Sequence, residues 1–259
     1  YNTAIGTNSL YNNTTGVCNT AVGYRALFSN TTQHGNTAVG TKSLEANTTG
    51  SQNTASGVYS LADNTTGSSN VAMGRGSLGN NTTGCSNTAL GTYALTNNTT
   101  ATANTAVGRQ ALWCNTTGVN NTASGYGALL SSTTASQNTA VGVYAARFTS
   151  TGHSNVALGY SALYCNTTGP SNVAIGMSAL ERNTTADSNI AIGKNAACLT
   201  TTGGNNIAIG GDALLRNTTG INNVAISKDS MQCNVSGQGN IAIGLKALLI
   251  NNTYNYKEI

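Results

Sequence analysis

Charge is nearly absent from this sequence. Only 7% of its 259 residues are Asp, Glu, Lys or Arg, against roughly 25% in an average globular chain. Eleven basic and seven acidic residues leave a formal charge of +4, too small and too scattered for a nucleic-acid footprint. Nor can so little charge hold the chain open as a disordered polyelectrolyte. Proline occurs once and aromatic residues make up 5%. No run of about 18 apolar residues occurs, so no membrane insertion is expected. The chain starts at Tyr1 without Met or a secretory leader, which reads as a mature form or a fragment. What is abundant is Asn (37), Thr (41) and Gly (31), at an ordinary 39% hydrophobic content. That bias points to repeats.

The motif N-T-A-V-G recurs every 17 residues without insertion or deletion, from Asn2, Asn19 and Asn36 through Asn172, Asn189 and Asn240. Fifteen copies fill residues 1–256 as one array, and 257–259 remain as a tail. The consensus is N-[T/V/I]-A-[V/I]-G-x-x-[A/S]-L-x-x-N-T-T-G-x-x. Numbering these positions as columns, column 1 is always Asn and column 3 always Ala. Column 9 is Leu except at Ala146, Ala197 and Met231. Every charge within the array falls in the variable columns 6, 7, 10, 11, 16 and 17. A buried unpaired charge is costly, so the charge-free columns are expected inside or in a packed interface.

A helix needs apolar residues at i, i+3, i+4 and i+7. This repeat lacks that pattern, and N-T-T-G is poor helix material. Columns 1–5 alternate instead and carry strand formers. A second strand is expected over columns 8–10 or 12–14, with Gly at columns 5 and 15 turning the corners. The fold class that follows is all-β: a parallel β-solenoid (β-roll) of 15 coils, about 4.8 Å apart and so roughly 70 Å long. Leu10, Leu27, Leu44, Leu163 and Leu180 are expected to stack coil on coil. Asn2, Asn19, Asn36, Asn172 and Asn189 are expected to form an amide ladder. The core of such a coil is thin. Columns 2 and 4 carry a second apolar stripe that points the other way, and three copies packed around a common axis would cover it.

The copies N-V-A-I-G at Asn172–Gly176 and N-I-A-I-G at Asn189–Gly193, Asn206–Gly210 and Asn240–Gly244 resemble the repeats of YadA-type adhesin heads. Arrays similar to N-T-A-x-G-x-x-A-L-x-x-N-T-T-G occur in fibre proteins of phages and large viruses. The resemblance implies a trimeric, left-handed parallel β-roll, although the 17-residue period is longer and more regular than that of YadA-type coils.

No chemistry of catalysis is legible, and no catalytic, cofactor or metal residue is assigned. His34 and His153 lie in the same column seven coils apart, too far to share a metal within one chain. Gly74-Arg75-Gly76-Ser77-Leu78-Gly79 matches G-x-G-x-x-G but lacks the strand–helix context of a dinucleotide site. The six cysteines lie two or more coils apart, beyond the roughly 7 Å reach of a disulfide, so free thiols are expected. The Asn-Thr-Thr triplets at column 12, such as Asn13, Asn47 and Asn115, are formal glycosylation sequons that read mainly as structural. Glycans on them would decorate that edge.

Aromatic residues gather in the variable columns. The richest patch, Arg109, Trp113, Tyr126, Tyr144, Arg147 and Phe148, could stack on a surface glycan or a protein receptor. The expected function is a non-enzymatic fibre or adhesin shaft on a virion or cell surface, extracellular and homotrimeric, attaching through multivalent contacts. A head-to-tail homopolymer is the alternative, because Tyr254, Asn255 and Tyr256 make a weak cap. The Thr columns raise a third reading, an ice-binding solenoid. Columns 13 and 14 are adjacent, however, and should point to opposite faces.

Overall fold

In a computed structural model the protein is an all-β parallel β-solenoid with one short strand per 17-residue coil. The structure describes residues 1–249; the tail 257–259 and the proposed cap lie outside them. No helix occurs among the described residues. The chain divides into two compact units, Tyr1–Thr134 and Ala135–Ile259.

The first unit holds β1 (Thr3–Ile5), β2 (Thr20–Val22), β3 (Thr37–Val39), β4 (Thr54–Ser56), β5 (Val71–Met73), β6 (Thr88–Leu90), β7 (Thr105–Val107) and β8 (Thr122–Ser124). The second holds β9 (Thr139–Val141), β10 (Val156–Leu158), β11 (Val173–Ile175), β12 (Ile190–Ile192), β13 (Ile207–Ile209), β14 (Val224–Ile226) and β15 (Ile241–Ile243). Within each unit consecutive strands pair in parallel at an unchanging register, as in Thr20↔Thr37 and Ile190↔Ile207. Like residues therefore stack on like.

The expected second strand does not form, and the backbone says why. Columns 7, 9 and 17 are left-handed in coil after coil, as at Arg25 (φ 55°), Leu27 (φ 52°) and Gln52 (φ 58°). Three such residues per coil break any extended run. Coil-to-coil hydrogen bonds persist there without strand geometry, for example Leu27 N–H to the Ser43 carbonyl at 3.0 Å. Column 5 turns as expected, with Gly91 at φ 135°. Column 15 does not use positive φ. Its glycines pack closely: a Cβ on Gly67 would fall against the Gly84 carbonyl and Asn64 Oδ1, and the coils that carry Ala101, Ala135 and Ala186 make room for one.

The core is narrower than charge exclusion alone implied. Columns 1, 3, 8, 9 and 12 are buried from the second or third coil to the fourteenth, with the small residues of column 15 mostly beside them; Leu248 in the last coil is exposed. Column 9 supplies the bulk, from Leu27, Leu44 and Leu61 to Leu163, Leu180 and Leu214. Leu10, in the outermost coil, is slightly less covered. Burying each leucine is worth roughly 1.5–3 kcal/mol, against about 1–2 kcal/mol for its left-handed backbone. The burial therefore holds the strained turn in place.

Two amide ladders flank this apolar column. In column 1, Asn36 N–H donates to Asn19 Oδ1 at 2.9 Å, after Asn19 N–H has donated to Asn2 Oδ1 at 2.9 Å. Asn189 N–H donates likewise to Asn172 Oδ1 at 3.0 Å. The side-chain amides join the run, as where Asn189 Nδ2 donates to Asn172 Oδ1 at 3.3 Å. Column 12 forms the second ladder: Asn64 Nδ2 donates to Asn47 Oδ1 at 2.9 Å. Both ladders meet at one acceptor per coil. The Gly67 carbonyl takes Asn53 Nδ2 and Asn64 Nδ2, each at 2.9 Å. Buried amides left unpaired would be costly; here each coil supplies partners for the next.

Candidate functional site

The variable columns bring cations and rings together by the same stacking that builds the core. A cation in one coil meets a ring at or near its own column in the next. Lys42 lies 5.8 Å from the Tyr59 ring centre, Arg75 5.7 Å from Tyr93, and Arg109 5.7 Å from Tyr126.

The six patch residues fall into separate groups. In the first unit Arg109 and Tyr126 form one cation–π pair, and Trp113 is half-buried nearby in sequence. In the second unit Arg147 lies over Tyr144 (4.5 Å) and Phe148 (5.2 Å). Tyr164, which sequence reasoning left out of the patch, completes this group. Arg147 Nη1 donates to Tyr164 Oη at 3.3 Å, and the Phe148 and Tyr164 rings meet edge to face at 5.0 Å. The signal was available: Tyr164 is one period after Arg147, in the same column. The guanidinium is thus clamped among three rings, an arrangement that fixes a rigid amphipathic surface.

A third group was also missed. Tyr11 stacks on Phe28 with ring centres 5.5 Å apart, and Arg25 lies 4.2 Å over Phe28. Glu45 bridges Arg25 (2.7 Å) and Lys42 (3.5 Å). These pairs are partly exposed, so each contributes at most about 1 kcal/mol.

The other residues singled out from the sequence have local partners. His34 Nδ1 accepts from Val17 N–H at 3.0 Å, and His153 Nδ1 lies 3.3 Å from Ser154 Oγ. All six cysteines are free thiols. Burial pushes the Cys114 and Cys165 thiols up; for Cys198, burial and then the nearby Glu181 carboxylate raise it to about 11. No group of three or more His, Cys, Asp or Glu side chains among the described residues could hold a metal ion. No helix among them is long and apolar enough to cross a membrane.

The Asn-Thr-Thr triplets are structural at most copies, as the sequence suggested. Asn47, Asn64 and Asn115 are fully buried, and their Nδ2 groups are spent in the column 12 ladder. A glycan on those nitrogens would have no route out of the folded coil; Asn13, in the first coil, is half-buried. The threonines of column 13 stay at the surface but bond from coil to coil, Thr48 Oγ1 donating to the Thr65 carbonyl at 3.0 Å. Column 14 presents exposed hydroxyls, as at Thr49 and Thr66, whereas column 13 hydroxyls are tied to the neighbouring coil's carbonyls, as at Thr65 and Thr82.

On the sheet face the apolar residues of columns 2 and 4 stand open to solvent. Met73 is 48% exposed in the first unit and Ile192 36% exposed in the second. Val39, Val107, Val141 and Ile190 share that exposure, and Val58, Val143 and Met177 extend it through column 6. No family model and no curated protein matches this chain; its residues establish an all-β parallel β-solenoid built of 17-residue coils.

Proposed function

We propose that this chain is a non-catalytic structural array that forms the shaft of an extracellular trimeric fibre on a virion or cell surface. Three copies pack their sheet faces around a common axis and carry the variable columns outward. The exposed apolar stripe of columns 2 and 4 carries this reading. Isolated apolar side chains on a surface need no explanation, whereas a contiguous row marks an interaction surface. Here the row recurs with the 17-residue period, interrupted at Thr54/Ser56 and Thr122/Ser124, so a copy of the same chain offers a surface of matching period. Such a fibre would act through reach and through three identical sets of contacts. The cation–ring groups of Arg109 with Tyr126, and of Arg147 with Tyr144, Phe148 and Tyr164, would supply contacts for a glycan or protein receptor.

Mass measurement in solution tests the assembly. The expected result is three times the chain mass of 26.2 kDa, independent of concentration over a wide range. A strictly monomeric particle would overturn the trimer. A mass that climbs without limit would favour the head-to-tail polymer instead.

A further inference from the structure

We propose that the first unit holds a saccharide-binding cleft centred on Gly76 and Gly79, the glycines of the G-x-G-x-x-G stretch. A cleft of about 250 Å³ opens at this point, walled by Tyr59 and Tyr93 and edged by Asp63 and Asn80. Its origin is a missing pair of side chains. Gly76 and Gly79 occupy columns 7 and 10, where the preceding coil has Tyr59 and Ala62 and the following coil has Tyr93 and Thr96. The stack therefore lacks a side chain in this coil: the backbones of the two tyrosines stand roughly 10 Å apart along it, twice the spacing of adjacent coils, and the Tyr93 ring leans over Gly76.

Each wall is held in position. Tyr59 has Lys42 on its N-terminal side, and on the other side Gly76 has no side chain to cover it; the residue is 46% exposed. Tyr93 rests against Gly76, where an added Cβ would come within 2.8 Å of its ring, and Arg75 lies 5.7 Å from its centre. Thr96 Oγ1 donates to the Gly76 carbonyl at 2.9 Å, which ties the floor to the far wall. The rim is polar: Asp63 is exposed and makes no ion pair among the described residues, and Asn80 Nδ2 donates to Asn97 Oδ1 at 3.0 Å, leaving its own oxygen to accept.

These features select a class of ligand. The volume lies below the roughly 300–1,000 Å³ of pockets for drug-sized ligands, so the cleft takes one ring. An open tyrosine face beside a carboxylate and an amide suits a body with an apolar face and a hydroxylated edge. Lys42 and Arg75 at the rings disfavour a cation, and Asp63 at the rim disfavours an anion. A neutral pyranose meets all three conditions: its C–H face stacks on Tyr59 while adjacent hydroxyls donate to Asp63 and Asn80. The site is complete within one chain and does not depend on the proposed trimer.

The test is titration of the intact protein with methyl glycosides of glucose, galactose and mannose, followed by ligand-observed NMR. At least one should bind, with a Kd on the order of 1 mM, the strength of a single small contact site. Asp63→Asn and Tyr59→Gln should each weaken that binding at least about tenfold; glutamine already serves column 7 at Gln110 with φ 57°. Gly76→Lys copies the Lys42–Tyr59 arrangement into the gap and, by displacing the Tyr93 ring that its Cβ would meet at 2.8 Å, should abolish binding; retained circular dichroism shows that the fold persists. Absence of binding by all three glycosides, or binding unchanged in Tyr59→Gln and Gly76→Lys, would overturn the proposal. So would tighter binding of choline or acetate than of any glycoside.

Discussion

Leu95 sits at φ 51° and is fully buried, which sets a side-chain requirement that hydrophobicity alone does not. A left-handed backbone tolerates an unbranched Cβ far better than a branched one. Leu95→Ile keeps volume and hydrophobicity, and in an ordinary core would cost less than about 1.5 kcal/mol. Here urea unfolding is expected to show a larger loss, about 2–3 kcal/mol. This requirement was legible. Columns 7, 9 and 17 never carry Val, Ile or Thr, while columns 6 and 16 do, as at Val58, Thr92, Val17 and Ile221. Charge and hydropathy do not register Cβ branching, so those three turns are invisible to them. Cys198 offers a second check at this scale. With its thiol raised to about 11, only about one molecule in a thousand is thiolate at pH 8. Iodoacetamide at that pH should modify exposed Cys18 well before Cys198, and Cys198 labelling should accelerate as pH rises toward 11. Equal rates at pH 8 would contradict the burial described.

At the scale of the coil, the column 12 ladder breaks at two of its replacements, Ser132 and Thr200, while Thr149 still accepts from Asn166 Nδ2 at 3.4 Å. Asn115 Oδ1 and Asn183 Oδ1 are buried without partners, because the next coils offer Ser132 and Thr200 instead of an amide. Ser132 Oγ and Thr200 Oγ1 are unpaired too. Thr200→Asn would let an amide donate to Asn183 Oδ1 and would place an acceptor below Asn217. An unsatisfied buried polar group costs roughly 1–3 kcal/mol, so thermal or urea unfolding should show stabilisation of about 1–2 kcal/mol. Loss of stability would mean that the ladder does not carry its share. Column 5 gives the opposite case. A Cβ on Gly91 would lie 2.7 Å from the Gly108 carbonyl group, at φ 135°. Gly91→Ala should therefore destabilise by about 1–3 kcal/mol, and Ser227→Gly, at φ 106°, should stabilise. The coil length, the strand of columns 2–4 and the invariance of Asn, Ala and Leu were all readable from the repeat. The second ladder was hidden because Asn-Thr-Thr also spells a sequon and a turn. Only the shared carbonyl of column 15 shows why that Asn faces inward.

For the whole molecule, the sheet face decides between lone and assembled chains. Val39→Lys puts a charge on an exposed position that a monomer tolerates with little change in stability. In a trimer with this face at its axis, three ammonium groups would be brought together with little water. The expected outcome is a fall from trimer mass to monomer mass with circular dichroism retained; an unchanged mass would place the interface elsewhere. The patch read from the sequence was legible only in part. Its residues lie in the variable columns, but grouping by nearness in sequence mixed neighbours of different units and omitted Tyr164. The period of 17, not proximity along the chain, decides which side chains touch.

The constant register carries a consequence for how the chain finds its fold. Sliding one coil past another by a whole period restores the same amide bonds and the same leucine contacts, because those columns are almost identical from copy to copy. The interior thus holds no address: it specifies how coils stack but not which coils, or whose. Contacts such as Arg25 with Glu45 and Arg147 with Tyr164 lie in the variable columns and are the labels that tell one copy from another. Dilute refolding would favour the chain's own coils, whereas crowding during synthesis would invite interlocked molecules with native spectra and the wrong neighbours.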